Sequence, residues 1–456
     1  MLKVDEIVKA SNGKLIQGNS QLIARGYNLD SRLIEKDFFY IPMIGEKVDG
    51  HIFIKSVVEK GAIGSFVQEG IMIDKEEIKN LNPDFALIEV KDTLTAMQDI
   101  ARYNREKHMD IESISITGSV GKTSTREMVA SVFNTCMNAL VTEKNFNGHI
   151  GLPLMALKIE NQDIAILETG IDFVGEMDLL GGILKPSCAV VTNIGVSHIE
   201  KFGSQDIIYR EKTNIANSLI NRKKLLLNRD DPYLLKYKND NVEIIYYGID
   251  DAKNIKYMDD SIEYDTLIYN KEEHIVINAI GNHNILNSIV AIRLAEIYNI
   301  PTDLILKGIS NYKNFTRRME KIKLNNITLI DDTYNASSSS AKSGIITVDE
   351  LHGNRKIVVL ADILELGEYS KQEHIKLGEV FKDVKIDVLI AYGENMKYLC
   401  EEASKYMNNV YWYESKEKVE EKIREILDKD DIIYFKGSNA MKVNEIVEDL
   451  KKDFVE

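Results

Sequence analysis

The segment 117–124, with the sequence TGSVGKTS, has the residue types of a phosphate-binding loop. Its glycines allow backbone N–H groups to turn toward phosphate oxygens, and the N-terminus of a following helix favours negative charge. Lys122 supplies a compact cation and the Thr123 hydroxyl can bind Mg²⁺. Only two residues separate Gly118 from Gly121, where the usual loop has about four. The alternative is an ordinary strand-to-helix turn. The glycines and the lysine between a strand and a helix favour nucleotide binding by six residues: Gly118, Ser119, Gly121, Lys122, Thr123 and Ser124.

Glu168 and His198 each follow an apolar strand. Glu168 ends the run 164–167, and His198 comes a few residues after the run 189–192. The carboxyl ends of parallel strands meet at one edge of a sheet, where ligands gather, and Mg²⁺ prefers oxygen ligands such as carboxylates. We therefore expect both side chains to bind metal at this edge. The alternatives are a surface charge for Glu168 and a structural role for His198, which is the usual role of an isolated histidine.

Asn284 and Asn287 lie one turn apart in the predicted helix 284–298. Residues three apart on a helix share a face, so both amides can point toward adenine or ribose. The alternative is that they cap the helix after Gly281.

These residues belong to a chain in which strand and helix patterns alternate. Short apolar and β-branched runs predict strands, and apolar residues at helical spacing predict helices. The predicted strands are 38–41, 61–67, 113–116, 164–167, 189–192, 224–227, 243–247, 328–330, 356–360, 388–392, 410–413 and 431–435. The predicted helices are 93–108, 124–133, 211–219 and 284–298. Such alternation is typical of an α/β fold with a mostly parallel sheet and helices on both faces.

Chain length and the changes of pattern indicate three α/β domains. At roughly 150 residues per domain, 456 residues correspond to about three. The polar stretch 311–318 lacks a clear period and is a candidate hinge. We predict domains of residues 1–108, 109–314 and 315–456.

The composition argues against several classes of protein and site. Lys and Arg (57) against Asp and Glu (72) give a formal net charge of −15, which opposes bulk electrostatic binding to nucleic acid or to an anionic membrane. Cys136, Cys188 and Cys400 lie far apart, which argues against a disulfide framework or a zinc cluster. The acidic start and the lack of an apolar run of about 18 residues predict no signal peptide and no membrane insertion. We expect a cytoplasmic monomer without a nucleic-acid partner.

Further motifs accompany the phosphate loop in the order typical of one enzyme family. They are DSR at 30–32, DGH at 49–51 with Phe53, LETG at 167–170, TNIGVSHIE at 192–200, FGS at 202–204 with Lys212, GNHN at 281–284 with Asn287, DDTYNA at 331–336, LADILELG at 360–367 and KGS at 436–438. Together with the short loop, they resemble the Mur ligase superfamily over essentially the whole chain. The DDTYNA, LELG and FGS strings are most similar to the members that add D-alanyl-D-alanine to UDP-N-acetylmuramoyl-tripeptide.

The resemblance implies a three-domain Mur ligase architecture, with a P-loop parallel-sheet central domain and a Rossmann-like C-terminal domain. It implies amide-bond formation that consumes ATP through an acyl phosphate and uses two Mg²⁺ ions. The implied catalytic residues are Lys122, Glu168, His198 and Lys212, and the implied metal ligands are Thr123, Glu168, His198 and Lys212. Lys212 would be carbamylated, which turns a cation into a carboxylate-like group. Its position on a predicted helix alone indicates a solvated lysine.

The resemblance also assigns residues to the substrates. Arg318 and Asp332 would reach back to ATP from the last domain. The uridine end of the acceptor would contact Ser31, Arg32, Asp49 and His51. Further substrate contacts would come from Asn145, Asn147, Tyr334 and Asn335.

Several positions depart from the family pattern, although the phosphate loop, Glu168, His198 and Lys212 conform to it. The departures are Lys144, Arg317 and Ala361 where glycine is usual, Gly148 where asparagine is usual, Ser337-Ser338 in place of Asn-Pro, and Asn439 in place of arginine. They surround the regions expected to bind the acceptor and the dipeptide. Two alternatives therefore stay open: a paralogous Mur-type ligase for another carboxylate or amine, and a non-catalytic relative that binds a nucleotide as a scaffold or regulator.

Overall fold

The computed structural model describes residues 1–453 and has a mixed α/β fold. Its strands are β1 (Leu2–Lys3), β2 (Lys14–Gln17), β3 (Ile23–Ala24), β4 (Gly26–Asn28), β5 (Phe38–Tyr40), β6 (Gly64–Gln68), β7 (Ala86–Val90), β8 (Glu112–Thr117), β9 (Ala139–Val141), β10 (Ile164–Glu168), β11 (Cys188–Val191), β12 (Lys224–Asn228), β13 (Glu243–Tyr247), β14 (Lys253–Tyr257), β15 (Ile262–Ile268), β16 (Lys271–Ile277), β17 (Glu320–Leu324), β18 (Ile327–Asp331), β19 (Lys356–Ala361), β20 (Val388–Tyr392), β21 (Val410–Tyr413) and β22 (Ile432–Lys436).

The α-helices are α1 (Val4–Ala10), α2 (Ile54–Glu59), α3 (Lys75–Leu81), α4 (Thr93–Lys107), α5 (Lys122–Phe133), α6 (Gly151–Leu157), α7 (Glu176–Leu184), α8 (Ile199–Phe202), α9 (Gln205–Thr213), α10 (His283–Ile297), α11 (Thr302–Asn311), α12 (Ser338–Glu350), α13 (Ser370–Gly378), α14 (Met396–Ala403), α15 (Lys416–Ile426) and α16 (Val443–Asp453). None of them, over the described residues, has the length and apolar character that crossing a bilayer requires.

The strands form sheets in which parallel pairing predominates. The sheet orders are β1-β3, β2-β7-β6-β5-β4, β13-β12-β11-β8-β10-β9, β14-β15-β16 and β17-β18-β22-β19-β20-β21. Antiparallel pairing joins β1 to β3, β2 to β7, β17 to β18, and β14 to β15 to β16. Parallel strands need helical crossovers, which explains the regular alternation of strands and helices along the chain.

The chain divides into two compact units. One comprises residues 1–115, 137–189 and 214–224, and the other comprises residues 116–136, 190–213 and the chain from 225 onward. The three predicted domain ranges stay predictions.

In the first unit, helix α4 secures the ends of two other helices. The Asp92 carboxylate accepts the Thr95 N–H at 2.7 Å and begins α4 as an N-cap. Near its other end, the fully buried Arg105 donates to the Leu184 carbonyl at 2.7 Å, and Asn104 donates to the Ala156 carbonyl at 3.0 Å. These bonds satisfy carbonyls at the C-termini of α7 and α6, which have no partner within their own helices.

In the second unit, β14 to β16 form an antiparallel sheet that the sequence pattern did not reveal. The burial of β15 alternates residue by residue, and most of the exposed positions of β15 and β16 are charged or polar. A strand with one solvent-exposed face carries fewer apolar residues than a strand of a parallel sheet that is buried on both faces. The short apolar runs that mark the other strands are therefore missing here.

The predicted strands all have counterparts shifted by a few residues at most, and so do three of the predicted helices. The prediction of a helix over 211–219 is wrong in its bounds. Helix α9 spans Gln205–Thr213, and a 3₁₀ turn follows at Asn214–Ser218. The Thr213 hydroxyl donates back to the Tyr209 carbonyl at 2.8 Å, a bond that competes with the regular helix pattern.

Candidate active site

The predicted phosphate loop lies between β8 and α5, in a backbone that requires glycine. Gly118 and Gly121 have φ of +146° and +84°. A Cβ on Gly118 would lie 1.9 Å from Oγ1 of Thr192, so no larger residue fits at this position. The Ser119 N–H donates to the carbonyl of Asn193 at 3.0 Å, which ties the loop to the segment after β11. The loop is therefore anchored by a hydrogen bond and lies at the N-terminus of α5, as phosphate binding needs.

Lys122 and Thr123 begin α5, and both lie close to the loop. Nζ of Lys122 donates to the carbonyls of Gly118 and Ser119 at 2.9 and 3.3 Å. Arg318, at the end of the predicted hinge, donates to Oγ1 of Thr123 at 3.0 Å. The structure thus brings Arg318 to the loop, as the resemblance implied, while its contact with ATP stays a prediction.

Two further predicted residues, Tyr334 and Asn335, lie beside these groups. The guanidinium of Arg318 stacks 4.3 Å from the centre of the Tyr334 ring, an arrangement that orients a cation. Asn335 is exposed, and its carbonyl accepts from Nζ of Lys436 at 3.2 Å.

Asn284 and Asn287 form a buried hydrogen-bond chain. Oδ1 of Asn287 accepts from the hydroxyl of Thr125 at 2.7 Å, and its Nδ2 donates to Oδ1 of Asn284 at 3.2 Å. Nδ2 of Asn284 continues the chain to Oδ1 of Asn314 at 2.9 Å. Neither side chain caps the helix, so the capping alternative is wrong. Within the protein, the pair joins α10 to α5 and to the stretch before β17.

Asp332 lies in a buried ion pair with Lys436. Its Oδ2 accepts from Nζ of Lys436 at 2.5 Å and from the hydroxyl of Tyr434 at 3.0 Å. Burial lowers the pKa of Lys436, and the attraction of Asp332 opposes that shift. Sequence reasoning assigned no role to Lys436; the signal was its position directly after the buried strand 431–435, at the same sheet edge as Asp332.

His283 packs over the turn at Gly281, where a Cβ would lie 2.5 Å from the imidazole ring. Burial lowers the pKa of His283 to about 4; Lys436 and Arg318 act in the same direction, and Asp332 opposes them. Between pH 6.5 and about 4, the unfolded chain therefore binds a proton here that the folded chain does not bind.

We expect His283 to make the folded protein less stable as the pH falls through this window. Its contribution to the free energy of unfolding is full above pH 6.5, and about 3 kcal/mol of it is lost as the pH falls toward 4. The measurement is urea unfolding of the wild type and His283→Asn at several pH values, which isolates His283 from the titrating carboxylates. Stability curves that stay parallel from pH 7 to 4.5 would contradict the expectation.

Glu168 and Asn147 are brought together in the first unit. Glu168 is the last residue of β10 and is 3% exposed. Its Oε1 accepts from Nδ2 of Asn147 at 2.7 Å, and its N–H donates to the hydroxyl of Thr142 at 2.8 Å. The surface-charge alternative for Glu168 is therefore wrong. Asn145 lies on the same loop with an exposed side chain.

This loop also accounts for one departure from the family pattern. Lys144 has φ +49°, a conformation in which glycine is favoured and other residues are strained by about 1 kcal/mol or more. Lys144 therefore has a backbone conformation that the glycine usual in the family would adopt without strain.

The buried carboxylate of Glu176, which sequence reasoning missed, fixes the neighbouring loops. Oε1 of Glu176 accepts from the N–H of His149 at 2.9 Å, and Oε2 accepts from the N–H of Asp172 at 2.5 Å. In the sequence, an acidic residue at a helix start looks like an ordinary dipole contact, which gave no reason to single it out.

The four residues assigned to the uridine end lie in two turns of the first unit. Oδ1 of Asp49 lies 2.6 Å from Nδ1 of His51, and Nε2 of His51 accepts from the N–H of Gln68 at 3.1 Å. Both ring nitrogens of the buried His51 are therefore used inside the protein, which makes it a brace for the turn.

The Ser31–Arg32 turn is held in a similar way. The carbonyl of Ser31 accepts from Lys60 at 2.7 Å, and the side chain of Arg32 bonds to Asp30. Hydrogen bonds from Arg32 lower the pKa of Asp30 to about 2. The Arg32 side chain is 86% exposed and remains accessible to a ligand.

His198 and Lys212 occupy the second unit. Nδ1 of His198 lies 2.6 Å from Oε2 of Glu365. Lys212 is 3% exposed on α9, so the interpretation as a solvated lysine is wrong. Within residues 1–453, no group of three or more His, Cys, Asp or Glu side chains is arranged to hold a metal ion.

Two departures from the family pattern contact each other. The guanidinium of Arg317 donates to Oδ1 of Asn439 at 3.2 Å and to the carbonyl of Thr333 at 2.7 Å. Position 317 has arginine where the family usually has glycine. Position 439 has asparagine where the family usually has arginine. A guanidinium from position 317 thus reaches the neighbourhood of position 439, which makes the two changes a matched pair.

Comparison with known proteins agrees with these observations. Two family models match: the Mur ligase middle domain over residues 116–295, and the Mur ligase glutamate ligase domain over residues 317–439. The UDP-N-acetylmuramoyl-tripeptide–D-alanyl-D-alanine ligase of Bacillus subtilis is 34% identical over 436 residues, which cover 94% of this chain and 94% of that protein. The ligase of the same name from Buchnera aphidicola subsp. Baizongia pistaciae is 30% identical and covers 93% of this chain and 92% of its own length.

Solved structures give the same result for the fold. MurF from Acinetobacter baumannii superposes with a TM-score of 0.88 at 25% identity, over 99% of this chain and 98% of that chain. MurF from Thermotoga maritima in complex with ADP gives a TM-score of 0.83 at 21% identity, over 95% of this chain and 98% of that one. The predicted three-domain architecture and the predicted resemblance are confirmed. The chain belongs to the Mur ligase superfamily and, within it, to the family of UDP-N-acetylmuramoyl-tripeptide–D-alanyl-D-alanine ligases, the MurF family.

Proposed function

We propose that this protein joins D-alanyl-D-alanine to UDP-N-acetylmuramoyl-tripeptide at the expense of ATP, in the synthesis of peptidoglycan precursors. The observation that carries the proposal is the 34% identity to the Bacillus subtilis ligase of that name along 94% of both chains. The anchored glycine loop with Lys122, and the ADP in the related Thermotoga maritima structure, support ATP as the nucleotide.

The reaction needs an activated carboxylate, because a carboxylate is a poor electrophile. A terminal carboxylate oxygen of the tripeptide attacks the γ-phosphorus of ATP, and ADP leaves. The free amine of D-alanyl-D-alanine then attacks the carbonyl carbon of the acyl phosphate, loses a proton and displaces inorganic phosphate. Both steps gather negative charge on phosphate oxygens. The N–H groups of the loop and Nζ of Lys122 are suited to stabilise that charge.

The candidate ligands suit Mg²⁺ in their chemistry. Thr123 offers a hydroxyl and Glu168 a buried carboxylate, and Mg²⁺ prefers such oxygen donors. His198 and a carbamylated Lys212 would complete the set, because a carbamate on the buried Lys212 would supply further oxygen donors. When bound, two Mg²⁺ ions would neutralise charge on the transferred phosphoryl group.

The remaining assignments are part of the same proposal. Ser31, Arg32, Asp49 and His51 would form or brace the uridine site, and Asn145, Asn147, Tyr334 and Asn335 would contact the other substrate parts. The two family matches fall within the predicted domains 109–314 and 315–456. We further propose a cytoplasmic monomer, since ATP and UDP-linked peptides are dissolved substrates.

The decisive experiment is a turnover assay with all components varied one at a time. We expect ADP and phosphate only when ATP, Mg²⁺, the UDP-linked tripeptide and D-alanyl-D-alanine are all present. Turnover with another amine or carboxylate, and none with these two, would select the paralogous ligase. Nucleotide binding without turnover, unaffected by Glu168→Ala, would select the non-catalytic relative.

A further inference from the structure

Arg317 has a backbone conformation that would suit the glycine usual at this position in the family. Its φ is +62°, a region that residues other than glycine seldom occupy. The backbone is held from both sides, because the Arg317 N–H donates to Oε2 of Glu320 at 2.8 Å and its carbonyl accepts from the N–H of Tyr334 at 3.1 Å. An arginine is therefore kept at a strained backbone, which makes its side chain a candidate for function.

The guanidinium of Arg317 is fixed by acceptors that carry no charge. Nε donates to Oγ1 of Thr333 at 3.0 Å, and Nη2 donates to the carbonyl of Thr333 at 2.7 Å and to Oδ1 of Asn439 at 3.2 Å. The Thr333 hydroxyl itself donates to Oδ1 of the buried Asp331 at 2.6 Å, which turns its oxygen toward Arg317 as an acceptor. The cation is thus oriented by neutral groups.

One edge of the guanidinium fork is open to a ligand. Nε and Nη2 form the edge that meets Thr333, whereas the edge formed by Nη1 and Nη2 meets Oδ1 of Asn439, an exposed side chain. Within residues 1–453, no ion pair involves Arg317. An oriented arginine edge without a carboxylate partner in this part of the chain suits a carboxylate ligand, which it can bind through two parallel N–H···O bonds.

The amine substrate of the proposed reaction carries such a group. D-alanyl-D-alanine has a carboxylate that does not react, and no cation has so far been assigned to it. An extended dipeptide is at most about 7 Å long, so the cation must lie close to the phosphate loop without occupying it. Arg317 meets this condition: the next residue, Arg318, bonds to Thr123 of the loop, while the side chain of Arg317 turns to Asn439.

We propose that Arg317 binds the free carboxylate of D-alanyl-D-alanine, in place of the arginine that the family usually has at position 439. The inference rests on the proposed function, which supplies the dipeptide as substrate. Arg317 is then a specificity-determining residue, which selects amines that carry a carboxylate one peptide unit away and does not touch the reacting atoms. One change explains both departures from the family pattern, since position 317 gained the guanidinium that position 439 lost.

The test is steady-state kinetics of the full-length protein and of Arg317→Gly, a variant whose new residue suits the backbone. We expect the KM for D-alanyl-D-alanine to rise about 10- to 100-fold, the range for charge-assisted hydrogen bonds, with little change in kcat. The KM for the UDP-linked tripeptide should stay unchanged, which distinguishes the carboxylate of the dipeptide from those of the acceptor. The melting temperature should shift by a few degrees at most, since relief of strain offsets the lost hydrogen bonds.

Two comparisons separate binding from a merely structural role. D-alanyl-D-alaninamide lacks the carboxylate, so its KM should be the same in the wild type and in Arg317→Gly. Moving the arginine, with Asn439→Arg added to Arg317→Gly, should bring the KM for the dipeptide back toward the wild-type value. Lys442→Ala removes an exposed cation three residues after Asn439 and is the matched control, which should leave this KM unchanged.

Four results would overturn the proposal: an unchanged KM for the dipeptide in folded Arg317→Gly, an equal rise for the dipeptide and its amide, a rise for the tripeptide instead, or no recovery in the double variant. Wild-type turnover in the four-component assay tests the proposed function separately. Turnover with an unchanged KM in Arg317→Gly would reject this inference alone, whereas no wild-type turnover with the dipeptide would reject the proposed function as well.

Discussion

Replacing Lys122 with alanine is expected to lower kcat at least about 1,000-fold, because no other lysine is placed on the loop that we expect to hold the phosphates. A loss of that size corresponds to about 4 kcal/mol of transition-state stabilisation. The measurement is steady-state ADP release with all substrates present. The KM for the UDP-linked peptide should change much less, since Lys122 acts at the nucleotide.

The same variant should fold normally, which separates chemistry from stability. Nζ of Lys122 donates to two loop carbonyls, and each such bond contributes about 1 kcal/mol net. Thermal melting should therefore shift by a few degrees at most. Lys313→Ala, at an exposed lysine in the stretch before β17, is the control and should retain full turnover. Undiminished turnover in Lys122→Ala would remove the phosphate-loop interpretation.

The sequence was sufficient to predict the groups that lie on or directly after buried strands. Glu168 ends β10, and the phosphate loop follows β8, so the periodicity of the strands also located the residues that we propose for the chemistry. The polar, half-exposed strands β14 to β16 lacked that signal, because a strand with one solvent-exposed face has no continuous apolar run.

Side-chain partners could not be predicted, because they depend on contacts between residues far apart in sequence. Asn284 and Asn287 bond to Thr125 and Asn314, partners that the sequence did not indicate, while their expected contact with a nucleotide stays a prediction. The pairing of Arg317 with Asn439 likewise joins positions 122 residues apart. A departure from the family pattern at one position can be explained only when the structure shows which residue it contacts.

Replacing Lys436 with methionine should destabilise the protein by about 3 to 5 kcal/mol, because it leaves the Asp332 carboxylate buried without its cation. Methionine matches the length of the lysine stem, so little packing is lost. The measurement is the free energy of unfolding in urea, compared between the wild type and the variant. Lys442→Met removes an exposed lysine that is paired only with Glu445, and it should cost less than about 1 kcal/mol.

The double variant Lys436→Met with Asp332→Asn distinguishes an unpaired charge from lost packing. If the buried carboxylate causes the instability, removing its charge as well should restore a large part of the stability, since Tyr434 can still donate to the amide oxygen. A double variant as unstable as Lys436→Met alone would contradict the ion-pair explanation. Turnover should nevertheless stay low in the double variant if Asp332 contacts ATP, because the amide cannot replace the charge of the carboxylate. Stability restored without activity would thus assign the Asp332–Lys436 pair a role in the reaction beyond its role in stability.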